Sequence, residues 1–175
     1  EKMEYEKLVD KTKKFYEILD VKIDNKDSEL IELAITSLTM PVFAKEYNDV
    51  NTKKIHDYRS LATVGDSICT SLLMMEKFKK NLSMEEMTQK KGKLQNKNLN
   101  IIGKKLLEGY LFAKNNDLSN KKAYATAFEA VIGFLAFFNL NKAKEVFDKY
   151  IDRNLWDITN ILLIIWLSKK KAKKF

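Results

Sequence analysis

The chain has 175 residues, a formal net charge of +8 and 45% hydrophobic residues, including ten Phe, seven Tyr and two Trp. This apolar content excludes a disordered polyelectrolyte, and the length suits one domain. Five Gly and one Pro are too few for the many turns of an all-β fold, so an all-α fold is expected. The single cysteine, Cys69, excludes an intramolecular disulfide and indicates a reducing compartment, either the cytoplasm or an organelle matrix. The single histidine, His56, excludes most zinc and Ser-His-Asp chemistry.

The first half of the chain predicts three helices. Residues 1–27 predict an N-terminal amphipathic helix and a polar connector, without the apolar region of a secretory signal, so the protein is not expected to be secreted. Ser28 is expected to cap a second helix, and Pro41 to mark its end. Residues 45–54 are polar and predict a loop, and a strongly apolar helix is predicted over about 56–77.

The second half predicts further helices with recognisable start signals. Ser83-Met84-Glu85-Glu86 has the pattern of a capping box, with Ser at the N-cap and Glu three residues later. Other helix starts are expected at Asn98, Ser119 and Asn141. The most apolar helix is predicted over about 120–138, and the last one over about 154–168.

Two of the predicted helices share an unusual feature, since each has one acid in an apolar context with a glycine nearby. Gly65 precedes Asp66, and Gly133 follows Glu129 by four residues. Because glycine inside a helix costs about 1 kcal/mol relative to alanine, the two glycines predict a close helix crossing that brings the acids together. Two converging carboxylates suit Mg²⁺ or Mn²⁺ and therefore phosphate chemistry.

The alternative interpretation of these acids is structural. An acid on an apolar helix is often partly exposed or paired with a lysine. Cys69 is expected to lie in the core, as is the cluster of Phe134, Phe137 and Phe138, and His56 is expected at the surface.

Four segments resemble motifs of the ribonuclease III family. Leu61-Ala62-Thr63-Val64-Gly65-Asp66-Ser67 is similar to its Leu-Glu-Phe-Leu-Gly-Asp-Ser/Ala signature, and Thr126-Ala127-Phe128-Glu129-Ala130-Val131-Ile132-Gly133 to its Asp-x-Phe-Glu-Ala-Leu-Ile-Gly motif. Ala34-Ile35-Thr36-Ser37-Leu38-Thr39 resembles the family's Ala-Leu-Thr-His-x-Ser segment, and Leu82-Ser83-Met84-Glu85-Glu86-Met87-Thr88 its Leu-Ser-x-x-x-Leu-Thr segment. The similarity runs in the family's order from about Leu30 to Ile151.

This resemblance implies a dimeric, all-α ribonuclease III-type domain over residues 28–152. It implies that Asp66 and Glu129 are catalytic, bind Mg²⁺ or Mn²⁺ and support hydrolysis of double-stranded or structured RNA. The partner in the dimer is then a second copy or another chain of this type. The sequence departs from the family where Arg59, Ala62 and Thr126 replace acids, so divalent metal should bind less tightly.

Two interpretations fit this reduced acidic site. The active Mini-III branch of the family is similar at both motifs and has no double-stranded-RNA-binding domain, and none is expected here. The second interpretation is a catalytically inactive subunit that binds RNA or protein in a ribonucleoprotein complex. A helical protein with a coincidental motif match is a third option.

Basic residues provide the candidate RNA-binding surface. The segment 87–107 contains six lysines and no acid, and Lys90, Lys91, Lys93 and Lys97 are the candidates within it. Lys121 and Lys122 precede Glu129 by about two turns, and Arg59 precedes Asp66 by the same distance, so these three are also candidates. The alternative is that the lysine segment is only a solvated helix face.

Residues 153–175 combine an apolar segment with a lysine tail. Residues 161–167 form a continuous apolar run, and five lysines follow between 169 and 174. The apolar stretch is shorter than the ~18 residues that span a bilayer, so no membrane span is expected. A helix packed on the same domain or on a partner subunit is the leading interpretation, and an interfacial membrane anchor is the alternative.

Overall fold

The protein is all-helical over the residues described here. The computed structural model describes the backbone of residues 4–89 and 96–152 and the side chains of residues 4–87 and 98–151. Within these ranges there is no β-strand, and no helix is long and apolar enough to cross a membrane. The helices are α1 (Tyr5–Ile18), α2 (Ser28–Leu38), α3 (Pro41–Val50), α4 (Arg59–Lys79), α5 (Met84–Gln89), α6 (Asn96–Leu107), α7 (Asn115–Leu118), α8 (Ala123–Phe138) and α9 (Leu140–Phe147), followed by a π-helical turn (Asp148–Asp152).

The centre of the molecule is α8, which packs against α2, α4, α6 and α9. Its sequence is apolar all round, and a helix of this kind is stable only when other elements surround it. Phe128 and Phe134 are fully buried, and the ring of Phe134 contacts that of Tyr16 from α1. Since each buried aromatic side chain contributes about 1.5–3 kcal/mol of hydrophobic stabilisation, α8 anchors the core.

The N-terminal helices cover one side of this core. Phe15 and Tyr16 of α1 are fully buried, and the Tyr16 hydroxyl forms a hydrogen bond with the Ser37 hydroxyl of α2. Burial raises the pKa of Tyr16, so this phenol stays neutral. The predicted N-terminal helix is therefore confirmed, with a structural role.

Several helix starts differ from the predictions. Asp27, not Ser28, caps α2, because its side chain accepts a hydrogen bond from the Leu30 amide at 3.0 Å. Asn98 lies inside α6 rather than at its start. Ser119 flanks the end of α7, and α8 begins at Ala123.

Of the two remaining predicted helix starts, the capping box at Ser83 is confirmed, and the start at Asn141 is displaced by two residues. The capping box is confirmed, since the Ser83 amide donates to Glu86 Oε2 at 2.9 Å and the Glu86 amide donates to Ser83 Oγ at 3.2 Å. Asn139 rather than Asn141 caps α9, by accepting from the amides of Asn141 and Lys142.

The predicted loop over 45–54 is wrong, because α3 extends through most of it. Pro41 does not end α2, which stops at Leu38, but is the first residue of α3, where its missing N–H has no consequence. Phe43 and Tyr47 are buried one turn apart, while the charged residues between them face solvent. The polar composition of this segment therefore belongs to an amphipathic helix.

The predicted helix over 154–168 and the lysine tail lie outside the described residues.

Candidate active site at the crossing of α4 and α8

Two glycines allow the backbones of α4 and α8 to touch. A Cβ atom on Gly65 would lie 1.6 Å from the Glu129 carbonyl oxygen, and one on Gly133 would lie 2.5 Å from the Leu61 carbonyl oxygen. Both distances are far below van der Waals contact, so any larger residue would push the helices apart. Because Leu61 meets Gly133 and Gly65 meets Glu129, the two helices run antiparallel. The glycines predicted at a helix crossing lie at this contact.

The crossing places Asp66 and Glu129 close enough to interact. Asp66 is exposed and Glu129 is half-buried. Burial, followed by the negative charge of Asp66, raises the pKa of Glu129 to about 7. Within the described part of the chain, no hydrogen bond compensates for the burial of Glu129. This carboxyl group therefore takes up a proton at a higher pH than an ordinary glutamate does.

Cys69 lies one turn after Asp66 and beside the same pair. Its thiol is buried, as predicted, and burial raises its pKa, with the charges of Glu129 and Asp66 adding to the effect. The thiol consequently stays protonated and is a poor nucleophile or metal ligand.

The crossing brings two carboxylates together. The two carboxylates repel each other, and this repulsion adds to the burial that raises the pKa of Glu129. A cation between them would relieve it, and Mg²⁺ commonly takes one or two protein carboxylates and completes its shell with water. Over the described ranges, no group of three or more His, Cys, Asp or Glu side chains could hold a metal ion. The site is thus limited to two protein carboxylates.

The positions where the resembling family has further acids are occupied by other groups. Ala62 is buried on α4. Thr126, half-buried on α8, interacts through its side chain with the Tyr58 hydroxyl. Arg59 forms a two-pronged ion pair with Asp57, with Nε 2.9 Å from Oδ1 and Nη2 2.8 Å from Oδ2. Arg59 therefore neutralises a carboxylate on its own segment.

The candidate RNA-binding lysines are only partly described. Lys121 and Lys122 are exposed in the turn that leads into α8, two turns before Glu129. Lys97 belongs to α6, but its side chain lies outside the described residues, as do Lys90, Lys91 and Lys93 altogether. The structure thus places two lysines at the N-terminal end of the helix that carries Glu129.

A surface groove of about 600 Å³ lies at the other end of this helix pair. Leu61 and Val64 of α4, Leu33 of α2, His56 and Phe137 line it. Phe137 was expected in the core but is 60% exposed here, whereas Phe134 is fully buried and Phe138 half-buried. The difference arises because Phe134 and Phe138 lie one turn apart on one side of α8, where their rings stack, whereas Phe137 lies on another side.

Sequence reasoning missed one buried carboxylate with a structural role. Asp117 is 5% exposed, and it accepts hydrogen bonds from the backbone amides of Val42 (2.9 Å), Phe43 (3.1 Å) and Lys114 (3.0 Å). It thereby satisfies two N–H groups at the start of α3 that have no acceptor within the helix. Its negative charge also interacts favourably with the positive end of the helix dipole. Pro41 was the available signal, since a proline often occupies the first position of a helix that needs a cap.

Comparisons of the chain with protein-family models, with curated proteins and with solved structures find no match.

Proposed function

We propose that the protein is a divalent-metal-dependent endoribonuclease of the ribonuclease III type that cleaves double-stranded or structured RNA. One observation carries the proposal: α4 and α8 bring Asp66 and Glu129 together across a contact between two glycines. The residues of that contact belong to the two segments that resemble the family's acidic motifs. Outside such a site, an unpaired, half-buried glutamate beside a second carboxylate only destabilises the fold.

Asp66 and Glu129 would hold the cation. When bound, Mg²⁺ supplies a water of lowered pKa and neutralises charge on a phosphodiester. Without the cation the pKa of Glu129 is about 7, so a cation that binds here near neutral pH would displace a proton from this carboxyl group. Lys121 and Lys122, which are exposed just before the same helix, would bind RNA phosphates.

The proposed enzyme works as a dimer, either with a second copy or with another chain of this type. A buried, free cysteine is compatible with the reducing environment of the cytoplasm or an organelle matrix.

Cleavage of an end-labelled RNA duplex in Mg²⁺ tests the proposal. The full-length wild-type chain should cleave, and Asp66→Asn and Glu129→Gln should each reduce the rate by about 100-fold or more, since each variant removes a carboxylate that the reaction needs. Asp49→Asn is the matched control, because Asp49 is an exposed acid on α3 and should leave the rate unchanged. If the wild type and both site variants are indistinguishable, the proposed activity is wrong.

The second candidate function is an inactive RNA- or protein-binding subunit of a ribonucleoprotein complex. Ala62 and Thr126 favour it, because the crossing offers only two carboxylates where the resembling family has more. The same duplex distinguishes the candidates when binding is measured alongside cleavage. Binding by the wild type with no Mg²⁺-dependent product would favour the second candidate.

A further inference from the structure

The end of α4 carries an exposed aromatic side chain next to lysines. Phe78 is 74% exposed, which makes it the most exposed aromatic residue in the described part of the chain, and Met75, one turn earlier, is 51% exposed. Lys79 and Lys80 follow and are also exposed. We call these four residues the α4 tip. Exposed apolar surface of this kind commonly contacts a ligand or a partner.

The α4 tip carries positive charge as well as apolar surface. Lys80 has no ion-pair partner within the described ranges, and Lys79 Nζ lies 3.8 Å from Glu76 Oε1 in an exposed pair, which contributes little. Glu76 is the only acid among residues 67–84. Lys77 does not belong to this surface, because it is buried and its Nζ donates to a carbonyl oxygen of α5 at 2.9 Å. The tip therefore suits an anionic ligand.

The apolar area of the α4 tip is small for a protein interface. Each partner of a stable protein complex buries about 800 Å², whereas an aromatic side chain provides at most about 250 Å². One aromatic ring with two lysines instead matches a nucleic acid strand, because bases stack on aromatic rings and phosphates bind lysines. The composition of the tip therefore favours RNA over an apolar partner.

A single helix connects the α4 tip to the crossing of α4 and α8. Phe78 lies 12 residues after Asp66, which is about 18 Å along α4. Ser67 and Ser71 are exposed between them, about three turns and two turns before Phe78 on the same side of the helix. Both hydroxyls donate to carbonyl oxygens of their own helix, and residues 67–75 include no charged side chain. Along α4, a strand bound at Asp66 therefore meets no charge before the tip.

We infer that Phe78 stacks on an unpaired base of RNA while Lys79 and Lys80 bind the neighbouring phosphates. This inference rests on the proposed action on RNA, and it narrows the substrate class. A base inside a duplex is already stacked on its neighbours, so an unpaired base is needed to offer a face to Phe78. The substrate is accordingly an RNA in which a duplex adjoins a single strand.

Binding of two end-labelled RNA probes by the full-length chain in EDTA tests the inference. One probe is a blunt duplex, and the other is the same duplex with an unpaired adenosine tail. The wild type should bind the tailed duplex more tightly, and Phe78→Ala should weaken this binding by about 10-fold, because the stacking of one base has about this effect. Phe78→Tyr keeps the ring and should bind as the wild type does, whereas Phe78→Leu should bind as weakly as Phe78→Ala.

The salt dependence of binding separates the phosphate contacts from the stacking. Lys80→Ala should reduce the slope of log K against log salt concentration by about 0.7, the value for one phosphate of a single strand, while Phe78→Ala should leave the slope unchanged. Phe137→Ala is the matched control, because Phe137 is also an exposed phenylalanine (60%) but has no lysine within four positions along the chain. It should leave the affinity for the tailed duplex unchanged.

Three results would overturn the inference. The first is equal affinity of the wild type for the two probes. The second is wild-type affinity of Phe78→Leu for the tailed duplex, which would indicate an apolar contact without stacking. The third is wild-type affinity of Phe78→Ala, and if its sedimentation coefficient is also lower, the tip is a contact between two copies of the chain. Because the assay contains no metal, a chain that binds as expected but does not cleave contradicts the proposed activity alone.

Discussion

Asp117 and Glu129 both carry carboxyl groups that are removed from water, although to different extents. Their surroundings differ in the groups that face the carboxyl oxygens. Asp117 accepts three backbone hydrogen bonds and joins the start of α3 to the α7 turn. Glu129 has no such compensation, so its burial and then the charge of Asp66 raise its pKa to about 7. A carboxylate with its hydrogen bonds satisfied stabilises the fold, whereas one facing another negative charge is stabilised only by a proton or a cation.

The comparison separates structural acids from candidate catalytic ones by their surroundings rather than by burial. Asp117 is the more buried of the two residues, yet its neighbours are amide donors. Glu129 is less buried, yet its charged neighbour is an acid. Perturbed acids of the second kind are typical of functional sites.

Removing the Asp117 carboxylate should give the largest loss of stability. Asp117→Ala leaves the buried amide of Phe43 and the part-buried amides of Val42 and Lys114 without their acceptor, so the free energy of unfolding should fall by about 3 kcal/mol. Urea denaturation followed by circular dichroism measures the change. Asp117→Asn retains one acceptor oxygen and should lose less, while Glu129→Gln should lose nothing at pH 8. Equal losses in Asp117→Ala and Glu129→Gln would remove the distinction between the two acids.

Separating α4 and α8 at their crossing should give the second largest loss of stability. Gly65→Ala places a Cβ against the Glu129 carbonyl oxygen, so the free energy of unfolding should fall by about 2 kcal/mol as α4 and α8 move apart. The same change should lower the pKa of Glu129, because Asp66 moves away and water enters. Carboxyl NMR titration measures this pKa.

Ser67→Ala is the matched control for that substitution. Ser67 is exposed on the same helix and donates to the Thr63 carbonyl, so its replacement should leave both the stability and the pKa of Glu129 nearly unchanged. An unchanged pKa in Gly65→Ala would mean that the crossing does not control the interaction of the acids.

The two carboxylates also differ in how far their positions could be predicted from the sequence. Asp66 and Glu129 lie in long helices, and in each helix a glycine near the acid stands out because glycine is unfavourable inside a helix. The contact of Asp117 with Val42 joins residues 75 positions apart, and no local pattern connects them. The helical capping box, in contrast, depends on two residues three apart and was predictable.

Residues 45–54 were predicted to form a loop because the signals for α3 are not all local. In α3 the buried residues Phe43, Ala44 and Tyr47 form a narrow stripe, and the exposed residues outnumber them. The segment is helical because Pro41 favours a helix start and Asp117 supplies its cap. Half of that signal lies elsewhere in the chain, so composition alone predicted a loop.

The smallest predicted effect is a dependence of stability on pH that belongs to Glu129. Its pKa is about 7 in the folded protein and near 4.5 as an unperturbed side chain, so the folded state binds the extra proton between these values. The stabilisation from this proton is complete below about pH 4.5 and is lost as the pH rises through about 7. Because water reaches half of the side chain and screens the charges, we expect a change of about 1 kcal/mol. Urea denaturation of the wild type and of Glu129→Gln at pH 5.5 and 8 measures it, and the slope should be absent in the variant.

Mn²⁺ distinguishes a metal site from mere repulsion between two acids. A cation held by Asp66 and Glu129 must displace the proton of Glu129, so Mn²⁺ should stabilise the wild type more at pH 8 than at pH 6. It should have no such effect on Glu129→Gln, and Asp49→Asn should respond as the wild type does. A stabilisation by Mn²⁺ that is equal at both pH values, or equal in Glu129→Gln, would show that the cation binds elsewhere. In that case Glu129 would be a strained structural acid, and its difference from Asp117 would be one of stability alone.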